Sequence, residues 1–279
     1  MPPTTTIDAA RVAWVAVAII LAGLAIVTMR RVDVEAYLNG DAQGISFLIN
    51  LRKNKERLLR FMTEYSRSDI ADTPLRHLSA IDANDIDIPR FVTEKTMTQI
   101  TTTTITGFRK YHHDMTKGAV GCFLSHIAIM RMLQRDEGHS WYMVFEDDTS
   151  IPPKIHLAIH GAIRNAPAGW DLLLFGRHFA TTHKVPSDNA DYERIATFWG
   201  MHAYCISKQG AMKIIENYEQ NKISMQIDSM ISVMSKQGLV AVYACKQVRM
   251  ITGPFKSDIQ VPVKQIKGID PYDLDEGVQ

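Results

Sequence analysis

The chain has 279 residues, of which 46% are hydrophobic, with 31 Lys and Arg against 30 Asp and Glu. That length and apolar content support one large α/β domain or two small ones and exclude a disordered protein. The basic residues are scattered along the chain instead of gathered in a patch, which excludes the concentrated footprint of a nucleic-acid binder.

The first stretch to stand out is VAWVAVAIILAGLAIVTM, residues 12–29, without a charged residue and flanked by Arg11 and by Arg30 and Arg31. At the helical rise its 18 residues span roughly 27 Å, near the thickness of a bilayer's hydrocarbon core. A single N-terminal transmembrane helix is expected. A cleaved signal peptide is the rival reading, but its apolar region should be shorter and end in a small-residue cleavage site. Two arginines after the span against one before it favour a cytosolic position for the remainder by one residue. Cys122, Cys205 and Cys245 show no metal-type spacing and lie in apolar contexts, and no asparagine falls in a glycosylation triplet. Both features suit a reducing compartment.

Residues 30–44 are polar and punctuated by glycine, as a stem would be, before a first strand ISFLINL at 45–51. Leu58, Leu59, Phe61 and Met62 then recur at helical spacing among basic residues. RHLSAID is expected to be a second strand ending at Asp82, and the threonine-rich run 93–107 a surface loop or insertion. A long apolar helix from Gly118 to about Arg135 follows, with Thr116 as its N-cap. WYMVFEDDTSIPP, beginning at Trp141, comes next. Beyond it are a helix opened by Pro152 and Pro153, the strand WDLLLFG (170–176), a strand in TFWGMHAYCIS, helices in KQGAMKIIENYEQ and DSMISVMSKQ, and a last strand in LVAVYAC. Strands apolar throughout are strands buried on both faces, and their interleaving with helices predicts a mainly parallel, doubly wound α/β sheet. Ligands in such sheets sit at the carboxyl ends of the strands.

Glu146, Asp147 and Asp148 fall at such an end. Three adjacent carboxylates after an apolar strand repel one another unless water or a cation screens them. In extended chain Glu146 and Asp148 share a face, and that acid-x-acid pair can hold Mg2+ or Mn2+ against a diphosphate. A solvated turn capping the next helix is the plainer alternative.

The chain from about 45 to 260 resembles glycosyltransferase family 25, the lipopolysaccharide glycosyltransferases and procollagen galactosyltransferases. The resemblance is carried in order by FLINLRKNKERLLRF, HLSAID, KGAVGCFLSHIAIMRML, VFEDDTSIPP, WDLLLFG, GMHAYCISKQGAMKII and the late SDI at 257–259. Arg52, Ala119 and Ala83 depart from it, standing where an aspartate, an acid and a glycine are usual. The resemblance implies a Rossmann-like A-type glycosyltransferase fold at 45–260, after a tail (1–11), the anchor (12–29) and the stem (30–44), with a C-terminal tail at 261–279. It also implies transfer of a hexose, galactose or glucose, from a UDP-sugar to a hydroxyl acceptor on a glycan, a lipopolysaccharide-like molecule or a protein, with inversion. Mn2+ or Mg2+ held by Glu146 and Asp148 would neutralise the departing diphosphate.

Inversion in one displacement needs a base, and Asp228, at a helix start near the sheet edge, is the candidate; an N-cap is its other reading. The candidate donor-binding set is Asn50, Leu51, Arg52 and Arg57 after the first strand, Asp82, then Gly118, Gly121, Ser125 and His126, with Glu146 and Asp147. Asp82 can accept from a ribose hydroxyl or start a turn, and His126 can equally be a hydrogen-bonded core residue. Two other classes compete: an inactive relative that binds a nucleotide sugar or glycan, and a metal-dependent phosphoesterase, for which a further cluster of metal ligands near the acids is missing from the sequence.

Overall fold

The computed structural model describes residues 45–109, 114–183, 189–255, 257–259 and 261–262. The tail, anchor and stem expected before residue 45 lie outside the described residues, as do residues 263–279. Among the described residues no helix is long and apolar enough to cross a membrane.

The elements in chain order are β1 (Ile45–Asn50), α1 (Lys55–Arg67), β2 (Leu75–Ser79), a short 3-10 turn (Ile88–Arg90), α2 (Glu94–Thr106), α3 (Lys117–Arg135), β3 (Trp141–Glu146), α4 (His156–Arg164), β4 (Leu172–Gly176), β5 (Phe179–Thr182), β6 (Tyr192–Trp199), β7 (Ala203–Ser207), α5 (Lys208–Asn221), α6 (Ile227–Lys236) and β8 (Val242–Cys245). One sheet runs in the order β2-β1-β3-β7-β4-β8-β6-β5. The α/β architecture is as expected, but the sheet is mixed instead of mainly parallel. β1 pairs in parallel with β2 and β3, and β4 with β8, whereas β7 is antiparallel to both β3 and β4, and β6 to both β8 and β5. An all-apolar strand reports burial on both faces but carries no mark of direction. The sequence TFWGMHAYCIS, expected to be one strand, holds the end of β6 and all of β7, separated by a turn at Gly200.

Alternation along the buried strands divides the core. Phe47 and Ile49 of β1 and Val144 of β3 pack with Phe123, Ile127, Ile214 and Ile231 from α3, α5 and α6 on one face. Leu48, Phe145 and Leu173 pack with Phe61 and Ile159 from α1 and α4 on the other. A Leu-to-Ala or Phe-to-Ala change in such a layer typically costs about 2–5 kcal/mol.

The threonine-rich run is a helix, α2, and not a loop. Thr93 caps it by accepting from the Thr96 amide, and Gly107 closes it with φ 72°, a conformation open to glycine. Thr98, Thr104 and Thr106 donate their hydroxyls to the carbonyls of Glu94, Ile100 and Thr102 one turn back, so these polar groups are satisfied within the helix. Ile100, Thr96 and Thr103 form the buried stripe. The cap of α3 is as expected: Thr116 accepts from the Ala119 amide at 3.1 Å.

Candidate active site

β1 and β3 run in parallel with Ile49 opposite Glu146, so Asn50 and Asp147 emerge side by side from the carboxyl edge of the sheet. Asn50 Nδ2 donates to Asp147 Oδ2 at 2.7 Å, and Arg57, one turn into α1, donates from Nη1 to Asp147 Oδ1 at 3.0 Å. The other arm of the Arg57 guanidinium meets Asp258 at 3.1 Å, and Asn54 Nδ2 donates to the same carboxylate at 2.7 Å. Phe255 lies against both Arg57 and Arg60, with guanidinium carbons 5.4 and 5.3 Å from its ring centre. The Gly253 amide donates to the Asp148 carbonyl at 2.7 Å. Gly253, Phe255 and Asp258 are thereby tied across the first βα turn by backbone, aromatic and charged contacts.

The helix α3 closes a second side. A Cβ on Gly118 would stand 2.5 Å from the Asp258 carbonyl, and one on Gly121 would collide with the Ile81 carbonyl, so these glycines permit two backbones to approach. Ser125 fastens the same junction, accepting from the Ile81 amide at 2.9 Å and donating to the Gly121 carbonyl at 2.7 Å. His126 is fully buried; its Nδ1 pairs with Tyr204 Oη at 2.8 Å and its Nε2 faces Glu146 Oε1 at 3.4 Å. On the third side the Glu146 amide donates to the His202 carbonyl, and the imidazole of His202 lies 5.2 Å from that of His178.

The three acids differ sharply in surroundings. Burial pushes the Asp147 carboxyl up, and the bonds from Asn50 and Arg57 only partly offset it. Burial also drives Glu146 upward, but the facing imidazole of His126 and those of His202 and His178 outweigh it and the net shift is downward. Asp148 is pushed up to about 7, first by burial and then by the charges of Glu146 and Asp147. Among the described residues its buried Oδ1 finds no hydrogen-bond partner. A carboxylate oxygen that is buried, unpartnered and repelled by two neighbouring acids is one that a hard divalent cation could satisfy.

Of the residues named from the sequence, Asn50, Arg57, Asp147, Asp148, Glu146 and His126 are thus brought together. Leu51 contributes its carbonyl to the turn entering α1, accepting from the Asn54 amide. Arg52 is exposed and donates from Nε to Ser79 Oγ at 3.0 Å, on the β2 side. Asp82 stands beyond the end of β2, which stops at Ser79, and organises a turn by accepting from the Asn84 amide at 3.0 Å. Asp228 is the second residue of α6, whose N-cap is Gln226, and its two oxygens accept at 2.7 Å from the amides of Gly200 and Ser229. Burial, with the charge of Glu146 adding to it, still holds its carboxyl above the usual range. Sequence reasoning missed Asn54, Tyr204, Phe255 and Asp258 as parts of the site. The late SDI block was the signal for Asp258, and nothing in the strand YCIS marked Tyr204 as the partner of His126.

The model of glycosyltransferase family 25 (LPS biosynthesis protein) matches residues 44–231. Among curated proteins, a glycosyltransferase 25 family member of Drosophila melanogaster is 29% identical over 196 residues, covering 67% of this chain and 30% of that protein. Procollagen galactosyltransferase 2 of Homo sapiens is 23% identical over 207 residues, covering 71% of this chain and 31% of that protein. Inactive glycosyltransferase 25 family member 3 of Mus musculus is 23% identical over 200 residues, with coverage of 67% and 31%. The chain therefore spans about a third of the length of these relatives. With two thirds of its residues inside one family model, and with the described acid edge, first βα turn and glycine-bearing helix all within that match, the chain belongs to glycosyltransferase family 25.

Proposed function

We propose that the chain is a metal-dependent, inverting hexosyltransferase of the A-type fold that moves galactose or glucose from a UDP-sugar to a hydroxyl acceptor. The observation that carries this reading is the buried and unpartnered Asp148 Oδ1, repelled by Glu146 and Asp147 and lying beside the basic turn at Arg57. Asp148 and Glu146 would hold Mn2+ or Mg2+, which when bound supplies positive charge opposite a departing diphosphate. Asn50 and Arg57 fix Asp147, so the acid edge keeps its position as a donor enters. Gly253, Phe255 and Asp258, with α3, border the same edge.

Asp228 is assigned the role of base. Its carboxylate is aimed by two amides, and its raised pKa brings it nearer the range in which a base both takes a proton and persists deprotonated. Asn50, Leu51, Arg57, Asp82, Gly118, Gly121, Ser125 and His126 remain the proposed donor-side wall, whereas Arg52, turned towards Ser79, is better suited to the rim. The acceptor is a hydroxyl of a glycan, a lipopolysaccharide-like molecule or a protein, the last by analogy with the procollagen relative. Single-pass attachment to a membrane through residues 12–29 belongs to the same proposal.

The kinship to a relative named inactive favours a second reading, a nucleotide-sugar or glycan binder without turnover. UDP release by the full chain from a panel of UDP-sugars, with and without Mn2+, decides between them. Metal-dependent turnover of one sugar, lost in Asp148→Ala, supports the transferase. Binding of UDP without turnover of any sugar supports the binder.

A further inference from the structure

Cys122 and His126 lie four residues apart on α3, on one face of the helix and in reach of Glu146 at the end of β3. One ligating atom from each, the Cys122 sulfur, a His126 ring nitrogen and a Glu146 carboxylate oxygen, lie within 4.8 Å of one another. His126 Nε2 and Glu146 Oε1 are already 3.4 Å apart, about the edge of a tetrahedron around zinc with ligand distances of about 2.0–2.3 Å. The whole His126 side chain is excluded from solvent, and among the described residues Nε2 has no hydrogen-bond partner. Its other nitrogen, Nδ1, is engaged by Tyr204 Oη at 2.8 Å, which leaves Nε2 as the ring atom that faces the Glu146 carboxylate. Cys122 is partly exposed.

From this geometry we infer a second cation site, for a thiophilic divalent metal of the zinc type, made by Cys122, His126 and Glu146 beneath the acid edge. A thiol and an imidazole select zinc or cobalt over magnesium, whose preference is for oxygen, so this site differs in chemistry from the Glu146 and Asp148 pair. Tyr204 orients the imidazole from behind, the role that outer hydrogen bonds commonly play for metal-bound histidine. Binding breaks the Cys122 S–H bond, forms a metal–thiolate bond and releases one proton to solvent. Because Glu146 belongs to both sites, zinc draws its carboxylate away from Asp148. Zinc is therefore an inhibitor of the sugar transfer, a consequence that rests on the proposed function.

The test is titration of the metal-free full chain with Co2+, read as a thiolate-to-cobalt charge-transfer absorption. One equivalent should raise the band, Zn2+ should bleach it, Cys122→Ser should lack it, and Cys245→Ser should keep it. Native alkylation followed by mass spectrometry adds a reading on the unaltered chain: Zn2+ should slow iodoacetamide modification of Cys122 by about tenfold or more, as metal capture of a thiolate does. No band and no protection in the wild type overturns the inference, and so does a band that survives Cys122→Ser. The cobalt spectrum and the alkylation rate need no sugar transfer, so a chain without turnover can still pass, and an active one can still fail. Where turnover is present, Zn2+ should inhibit the wild type and spare Cys122→Ser.

Discussion

The two ends of β3 carry the same kind of residue in opposite circumstances. Before its first residue, Asp136 accepts from the Gly138 amide at 2.8 Å, from His139 Nδ1 at 2.8 Å and from the Tyr142 hydroxyl, and its carboxyl is pulled down to about 2, chiefly by that hydroxyl. Lys208 bonds its carbonyl. After the last residue, Asp148 sits among two other acids with an unpartnered oxygen and is pushed up to about 7. Folding has satisfied one aspartate in an open setting and left the other, buried beside two acids, wanting a positive charge. An acid that the fold satisfies is architecture, and an acid that the fold leaves unsatisfied marks where a ligand belongs.

The comparison breaks most readily through activity. Asp148→Ala should lower UDP release with saturating Mn2+ by about 10³-fold, the scale of removing a metal that stabilises the leaving group, while Asp136→Ala in folded protein should leave it within a few-fold. Next in size, Asp228→Asn should lower kcat by about 10²-fold or more with little change in KM, as loss of a general base does. Near-normal turnover in a folded Asp228→Asn chain removes that assignment.

Stability sharpens the contrast with the opposite sign at each end. Asp136→Asn should destabilise the chain by about 2 kcal/mol in urea at pH 7, the range for hydrogen bonds to a charged group. Because the folded-state pKa is lowered, this contribution is present above the unfolded value near 3.8 and fades as the pH falls through about 2. Asp148→Asn should instead stabilise the metal-free chain, by about 1–2 kcal/mol at pH 8. Its folded pKa is raised, so the wild type is unpenalised near pH 4 and bears the cost as the pH rises through about 7. An Asn variant of equal stability to wild type at both pH values contradicts the repulsion.

Much of this was legible in the sequence because it rests on local chemistry. The Thr116 cap and the apolar stripe of α3, the buried strand before Glu146 and the acids themselves all follow from residues close in the chain. The direction of β7 was not, since a strand buried on both faces reads alike in either sense. Nor was α2, because the low helix propensity of threonine hid a cap at Thr93 and a closing Gly107. The frame of the site escaped for another reason: Asn54 and Asp258 meet across 204 residues of sequence, and His126 and Tyr204 across 78. The spacing of Cys122 and His126 was in plain view, but reading the cysteines against one another concealed a pairing of cysteine with histidine.

The most direct test of the claim that the acid edge awaits a cation is Mn2+ binding to the full chain in the presence of UDP, followed by electron paramagnetic resonance. One Mn2+ bound per wild-type chain, with affinity about 100-fold weaker in Asp148→Asn and unchanged in Asp136→Asn, is the predicted result. Equal binding by wild type and Asp148→Asn, or none by either, contradicts it.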